Sequence, residues 1–234
     1  MNFVRRRVLG WIRPGIVEVL DRVPEFRAAW AQQNAAALER DGPLWLVIGD
    51  STAQGIGCSA YDMGYVGQVR SALEQQDGRT WRIVNVSRSG ARTRAVIREQ
   101  LPWLDRLDQV PDLITCSVGA NDVIRPWATS VDRDMSELIA RLPHGAVLAN
   151  VPKGLHPGRT ARLNALISRE APARGVVIAD VYMHTGPPWG AKLAADSFHP
   201  NDTGYHDWAV AFAEAISVPA PPPPPPLPPN PIPR

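Results

Sequence analysis

Residues 44–57 read LWLVIGDSTAQGIG, an apolar run that stops at Gly49-Asp50-Ser51 and passes into small and polar residues. Four further runs of the same kind follow: WRIVNV (81–86), DLITCSV (112–118), AVLANV (146–151) and GVVIADV (175–181). Their continuous apolarity, without polar alternation, is the pattern of strands buried on both faces. Segments with helical spacing lie between and after them, at 66–75, 94–104, 131–142, 160–171 and 203–216. Strands alternating with helices imply right-handed crossovers, so the expected fold class is α/β, a parallel sheet in a three-layer α/β/α sandwich. Ligands bind such a sheet beyond the carboxyl ends of its strands. That rule singles out GDS after the first run, SRSGAR after the second, GANDV after the third, and the loop leading to DSFHP after the fifth.

The rest of the chain limits what those loops can do. With 234 residues, 44% hydrophobic and 21% charged, the chain can bury one substantial core as an ordinary globular protein does. A formal charge of +2 is too weak to imply nucleic acid, which calls for basic charge gathered on one face. Cys58 and Cys116 are expected as free thiols, which points to a reducing, cytoplasmic setting. No His-x-x-x-His or Cys-x-x-Cys cluster suggests a metal, and no motif calls for a cofactor.

Three parts are expected. Residues 1–41 form an N-terminal amphipathic helical extension, with Val8, Trp11, Ile12, Ile16, Val19, Leu20 and Val23 on one face and Arg5-Arg6-Arg7 at its start. It covers the core, or makes a peripheral membrane contact through the arginines. Residues 42–217 form the α/β domain. Residues 218–234 form a disordered proline-rich tail, extended as polyproline II, whose partner the sequence does not name.

A serine at a strand end is commonly a turn or helix cap. Ser51 becomes a nucleophile only with a base, a group to orient that base, and donors for an oxyanion. His199 supplies a base, and Asp196, three residues earlier, is close enough to hold its second ring nitrogen. Ser51 and Gly90 can offer backbone N–H groups to the oxyanion, and Asn121 a neutral amide. A helix following Ser51 would add its N-terminal N–H groups. Asp50, adjacent to Ser51, and Asp122 read as structural carboxylates, and Asp202 with His206 reads as an i,i+4 helix pair.

These blocks resemble the SGNH hydrolases, also called GDSL-type esterases and lipases. GDST carries Ser51, NVSRSG ends at Gly90, GANDV carries Asn121, and DSFHPNDTGY carries Asp196 and His199. All four stand in order after the expected strands, over roughly residues 44–216. The resemblance implies a flavodoxin-like sheet of order 2-1-3-4-5. It also implies a Ser51–His199–Asp196 triad that cleaves carboxylic esters through an acyl enzyme. The expected substrate is a small-molecule ester, short-chain or lysophospholipid-like. The alternatives are a carbohydrate acetylesterase or an acyltransferase on the same site, or a non-catalytic interaction module. The loop GIGCSAYDMGYVG (55–67), Trp127, and GPPWGAKLAA (186–195) with Trp189 are expected to wall the substrate pocket, while Arg92, Arg125 and Lys192 read first as solvated surface, with contact to an anionic head group as the alternative.

Overall fold

In a computed structural model, residues 14–125 and 130–225 are described. The arginine cluster, Trp127 and the end of the proline tail lie outside these residues. Five strands, β1 (Leu44–Gly49), β2 (Arg82–Asn85), β3 (Leu113–Ser117), β4 (Val147–Ala149) and β5 (Val177–Ala179), form a parallel sheet in the order β2-β1-β3-β4-β5. This is the expected flavodoxin-like sandwich.

Every residue of β1 is buried, because β1 lies between β2 and β3 and both its faces are covered. Leu44, Leu46 and Ile48 point into one core with helices α4 (Val131–Arg141) and α5 (Pro157–Ala173). Trp45 and Val47 point into the other. There they meet α1 (Pro14–Asp21), α2 (Val23–Leu38), α3 (Tyr65–Asp77) and α6 (Asp202–Ala215). Tyr65 and Phe212 stack across α3 and α6 with ring centroids 4.5 Å apart. The fifth run is less enclosed than its apolarity suggests: β5 is an edge strand, and Val177 is exposed. The other edge, β2, is covered by α2. Asn34 donates from Nδ2 to the Asn85 carbonyl at 2.9 Å and accepts the Asn85 N–H at 2.8 Å, as a neighbouring strand would.

The helical spacing at 94–104 becomes a composite run: an α turn (Thr93–Ala95), a π turn (Val96–Gln100) and a 3-10 turn (Leu101–Asp105). The π turn places Gln100 against the end of β1. Pairing with β2 stops at Val47↔Asn85, so Gly49 has no strand neighbour on that side. Gln100 replaces it, accepting the Gly49 N–H at 2.7 Å and donating to the Gly49 carbonyl at 2.8 Å. Replacing Gln100 with Leu strands the buried Gly49 N–H and leaves the Gly49 carbonyl with the Arg88 N–H alone. Denaturant unfolding should therefore show a loss of about 1–3 kcal/mol.

Candidate active site

The loops beyond the carboxyl ends of the strands enclose a cavity of about 350 Å³. Ser51, buried in its lining, comes two residues after the end of β1. No helix begins there, contrary to the expectation: residues 51–57 form consecutive turns, closed by Ile56 N–H to Ser51 O at 3.0 Å, and α3 starts only at Tyr65. A glycine in this stretch permits close approach. A Cβ on Gly57, whose φ is +104°, would lie 2.4 Å from the Pro200 carbonyl and 2.9 Å from His199 Cβ. The turn after β1 is therefore pressed directly against the loop that carries the histidine.

That loop is closed by Ala194 N–H to His199 O at 2.8 Å and Asn201 N–H to Lys192 O at 2.9 Å. Within it Ser197 adopts a left-handed φ of 56°, and Asp196 Oδ1 accepts the N–H groups of Phe198 at 3.0 Å and His199 at 2.9 Å. Asp196 Oδ2 lies 2.6 Å from His199 Nδ1, and His199 Nε2 lies 3.0 Å from Ser51 Oγ. Burial disfavours charge on Asp196, but the hydrogen bond to the His199 ring, its charge and the two backbone donors outweigh burial and hold the carboxyl below its ordinary 3.8. An ionised Asp196 can only accept, so Nδ1 carries the ring proton and Nε2 is left to accept from the serine hydroxyl. In this arrangement the serine proton has a base to go to.

The predicted oxyanion donors are placed less uniformly. Among the described residues, no hydrogen bond is made by the N–H of Ser51 or of Gly90. Asn121 lines the cavity, with Nδ2 donating to Ala91 O at 3.0 Å and Asp50 Oδ2 at 3.3 Å. Gly90 is exposed in a turn at φ +76° and is not among the residues lining the cavity. Trp189 lines it, its ring lying against Gly154.

Asp50 makes no hydrogen bond to His199 among the described residues. Its Oδ1 accepts the Thr52 N–H at 2.9 Å and hydroxyl at 2.8 Å. Asp122 takes Arg92 Nε at 3.0 Å and both Thr93 donors, which also removes Arg92 as a free cation. Asp202 does not pair with His206; it accepts the Ser59 N–H and hydroxyl, while His206 Nδ1 meets Gln68 Oε1 at 3.3 Å. Lys192 is bound to Asp207 at 2.6 Å. Cys58 and Cys116 are both free and buried. Among the described residues, no group of three or more His, Cys, Asp or Glu could hold a metal ion, and no helix is long and apolar enough to cross a membrane.

Proximity in sequence misled in one place. The loop at 55–67 does not line the cavity; Ile56, Cys58 and Tyr65 are buried in the core beneath it. Pro152, Lys153, Gly154 and Leu155 stand there instead, on the loop after β4. The carboxyl-end rule applied to the fourth strand would have found them. Phe198 and Trp208 complete the wall, both within or just after the DSFHPNDTGY block.

A profile of the GDSL-like lipase/acylhydrolase family matches residues 47–206. Among solved structures, the lipase Lip_vut3 from a goat rumen metagenome is similar at 17% identity and TM-score 0.62, covering 74% of this chain and 97% of its own. LAE5, an alpha/beta hydrolase enzyme from the metagenome of Lake Arreo, Spain, is similar at 26% identity and TM-score 0.59, covering 77% of this chain and 98% of its own. Axe2, an acetyl xylan esterase from Geobacillus stearothermophilus, is similar at 23% identity and TM-score 0.58, covering 75% and 95%. No curated protein matches significantly.

Asp50 offers a test of the site's electrostatics. Burial raises it from 3.8 to about 6 against the opposing Thr52 hydrogen bonds. A raised acid holds its proton longer when folded, so its contribution to stability is present below pH 4 and is lost as pH rises through about 6. Thermal midpoints measured from pH 3.5 to 7.5 should therefore fall less on the alkaline side in Asp50→Asn than in wild type. The difference across the window corresponds to on the order of 3 kcal/mol.

Proposed function

From the premise that the chain belongs to the GDSL-like lipase/acylhydrolase family, and is thus an ester-cleaving serine hydrolase, we propose that it hydrolyses short-chain carboxylic esters through Ser51, His199 and Asp196. The observation that carries this reading is the relay from Asp196 through His199 to Ser51, spaced at 2.6 and 3.0 Å and ending at a serine that lines the cavity. Ser51 Oγ attacks the ester carbonyl as His199 Nε2 takes its proton, and Asp196 stabilises the imidazolium. The tetrahedral intermediate collapses, the C–O bond to the alcohol breaks, and His199 returns the proton to that oxygen. Water then attacks the acyl enzyme by the same route and releases the acid.

The oxyanion is held by the uncommitted N–H of Ser51 and by the Asn121 amide, and the uncommitted Gly90 N–H joins them when its exposed turn closes over the substrate. Asn121 reaches it by exchanging its contact with Asp50 or Ala91 for one with the substrate oxygen. Leu155, Trp189, Leu193 and Phe198 make a largely apolar wall, and a volume near 350 Å³ suits a short acyl chain.

A carbohydrate acetyl ester is the second reading. The same cavity presents the Trp189 and Phe198 rings beside the Lys192–Asp207 pair, which can donate to and accept from sugar hydroxyls. The acetyl xylan esterase among the structural neighbours acts on an ester of that class.

A chromogenic series of acetate, butyrate and octanoate esters should favour the two shorter chains. Ser51→Ala should lose at least about a thousandfold in turnover and all labelling by a fluorophosphonate. Unchanged turnover in that variant would reject the nucleophile. Acetylated xylo-oligosaccharides turned over faster than butyrate esters would favour the second reading. Asn121→Ala should lower kcat on the order of a hundredfold while KM stays nearly constant, and a change in KM alone would reject its oxyanion role.

A further inference from the structure

The family match begins at Val47, so α1 and α2 lie ahead of it. Both helices nevertheless reach the reactive loops. Arg22, at the joint between them, donates from Nη1 to the Cys58 carbonyl at 2.6 Å and from Nη2 to the Ser59 carbonyl at 2.7 Å. Its guanidinium also lies 4.8 Å from the Phe26 ring centroid, which limits its freedom. Ser59 in turn donates its N–H to Asp202 at 2.8 Å and its hydroxyl to the same carboxylate. Asp202 opens α6, three residues after His199. On the preceding turn of the chain, α1 packs backbone to backbone against the residue before Asp196: a Cβ on Gly15 would lie 2.0 Å from the Ala195 carbonyl.

The second helix reaches the other half of the site. Trp30 Nε1 donates to the Gln54 carbonyl at 3.1 Å, three residues after Ser51. The Gln54 side chain then bridges to the loop after β2, donating to Ser87 O at 3.1 Å and accepting the Ser89 N–H at 2.8 Å, next to Gly90. Trp30 and Gln54 are both buried, so these bonds are made out of competition with water.

We infer that α1 and α2 are a positioning element for the ester-cleaving site: Arg22 and Gly15 hold the Asp196–His199 loop, and Trp30, through Gln54, holds the Ser51 and Gly90 loops in register with it. The inference rests on the Ser51–His199–Asp196 reading. The nucleophile and its base are 148 positions apart in the chain, and their 3.0 Å contact depends on two loops that pack against one helical pair. A slip of either loop lengthens the proton transfer while Leu155 and Trp189 of the cavity wall, which lie outside both loops, stay in place. Turnover should therefore respond to these residues, and substrate affinity should not.

The experiment uses the full chain with Arg22→Ala, Arg22→Lys and Trp30→Phe, alongside Ser51→Ala. Arg22→Ala and Trp30→Phe should each lower kcat on the order of tenfold, with KM within about twofold and a parallel fall in the rate of fluorophosphonate labelling. Arg22→Lys, which keeps a donor within reach of the two carbonyls, should recover part of the loss. Far-UV circular dichroism and denaturant unfolding report whether each variant is folded, and Trp30→Phe, which removes one donor and keeps the ring packing, decides the matter if Arg22→Ala does not fold. Wild-type kcat and labelling rates in the folded variants would overturn the inference, as would equal proportional losses in kcat and in folded fraction. Hydrolysis surviving Ser51→Ala would overturn the site assignment beneath it, a result separable from any outcome at Arg22 or Trp30.

Discussion

The interior strand β1 outruns its neighbour β2, and most of the site follows from how that mismatch is resolved. β1 is paired with β3 as far as Gly49↔Ser117, while its pairing with β2 ends two residues earlier. A buried backbone group without a partner costs about as much as a lost hydrogen bond, so the end of β1 has to be satisfied by something other than a strand. Gln100 meets both groups of Gly49, and the Arg88 N–H adds a bond to the Gly49 carbonyl at 3.1 Å. The chain can then turn sharply at Asp50 and Ser51 in a place already anchored from two other loops. The π turn that brings Gln100 there, and the loop after β2 that brings Arg88, are thus part of the same solution.

Two carboxylates on this edge of the sheet show how environment separates residues of one chemical type. Asp50 is fully buried without a paired cation, and burial pushes it up to about 6. Asp196 is also shielded, yet the His199 ring and two backbone N–H groups keep it ionised. Only the second can orient an imidazole and stabilise its charge; the first braces Thr52 and Asn121. Pairs of acids driven apart in this way are a common mark of sites that move protons.

Much of this was legible beforehand, for identifiable reasons. The strands could be read because a strand buried on both faces has no polar alternation, and LWLVI remains so to the last residue. Ser51, Asn121, Asp196 and His199 could be read because each follows such a strand or stands in a compact motif. Asp196 to His199 is a local contact, closed within one turn. The contribution of α1 and α2 was only partly visible: the spacing of Ile16, Val19, Leu20 and Val23 indicates a covered face, but nothing in it says that Arg22 meets Cys58 and Ser59 or that Trp30 meets Gln54. Those bonds go to backbone carbonyls, which every residue has and which therefore leave no mark in the sequence.

The sequence by itself determined the layered α/β architecture and singled out the groups proposed to carry the chemistry, since both depend on local periodicity and on side-chain type. Tertiary structure decided which loops wall the cavity, putting 152–155 there and turning 55–67 inward to the core. It also decided that Asp202 serves Ser59 rather than His206, and that the N-terminal helices reach both halves of the site. Such choices rest on which distant segments can close-pack while leaving no buried polar group unpaired, and that condition is defined only once the whole chain is in place.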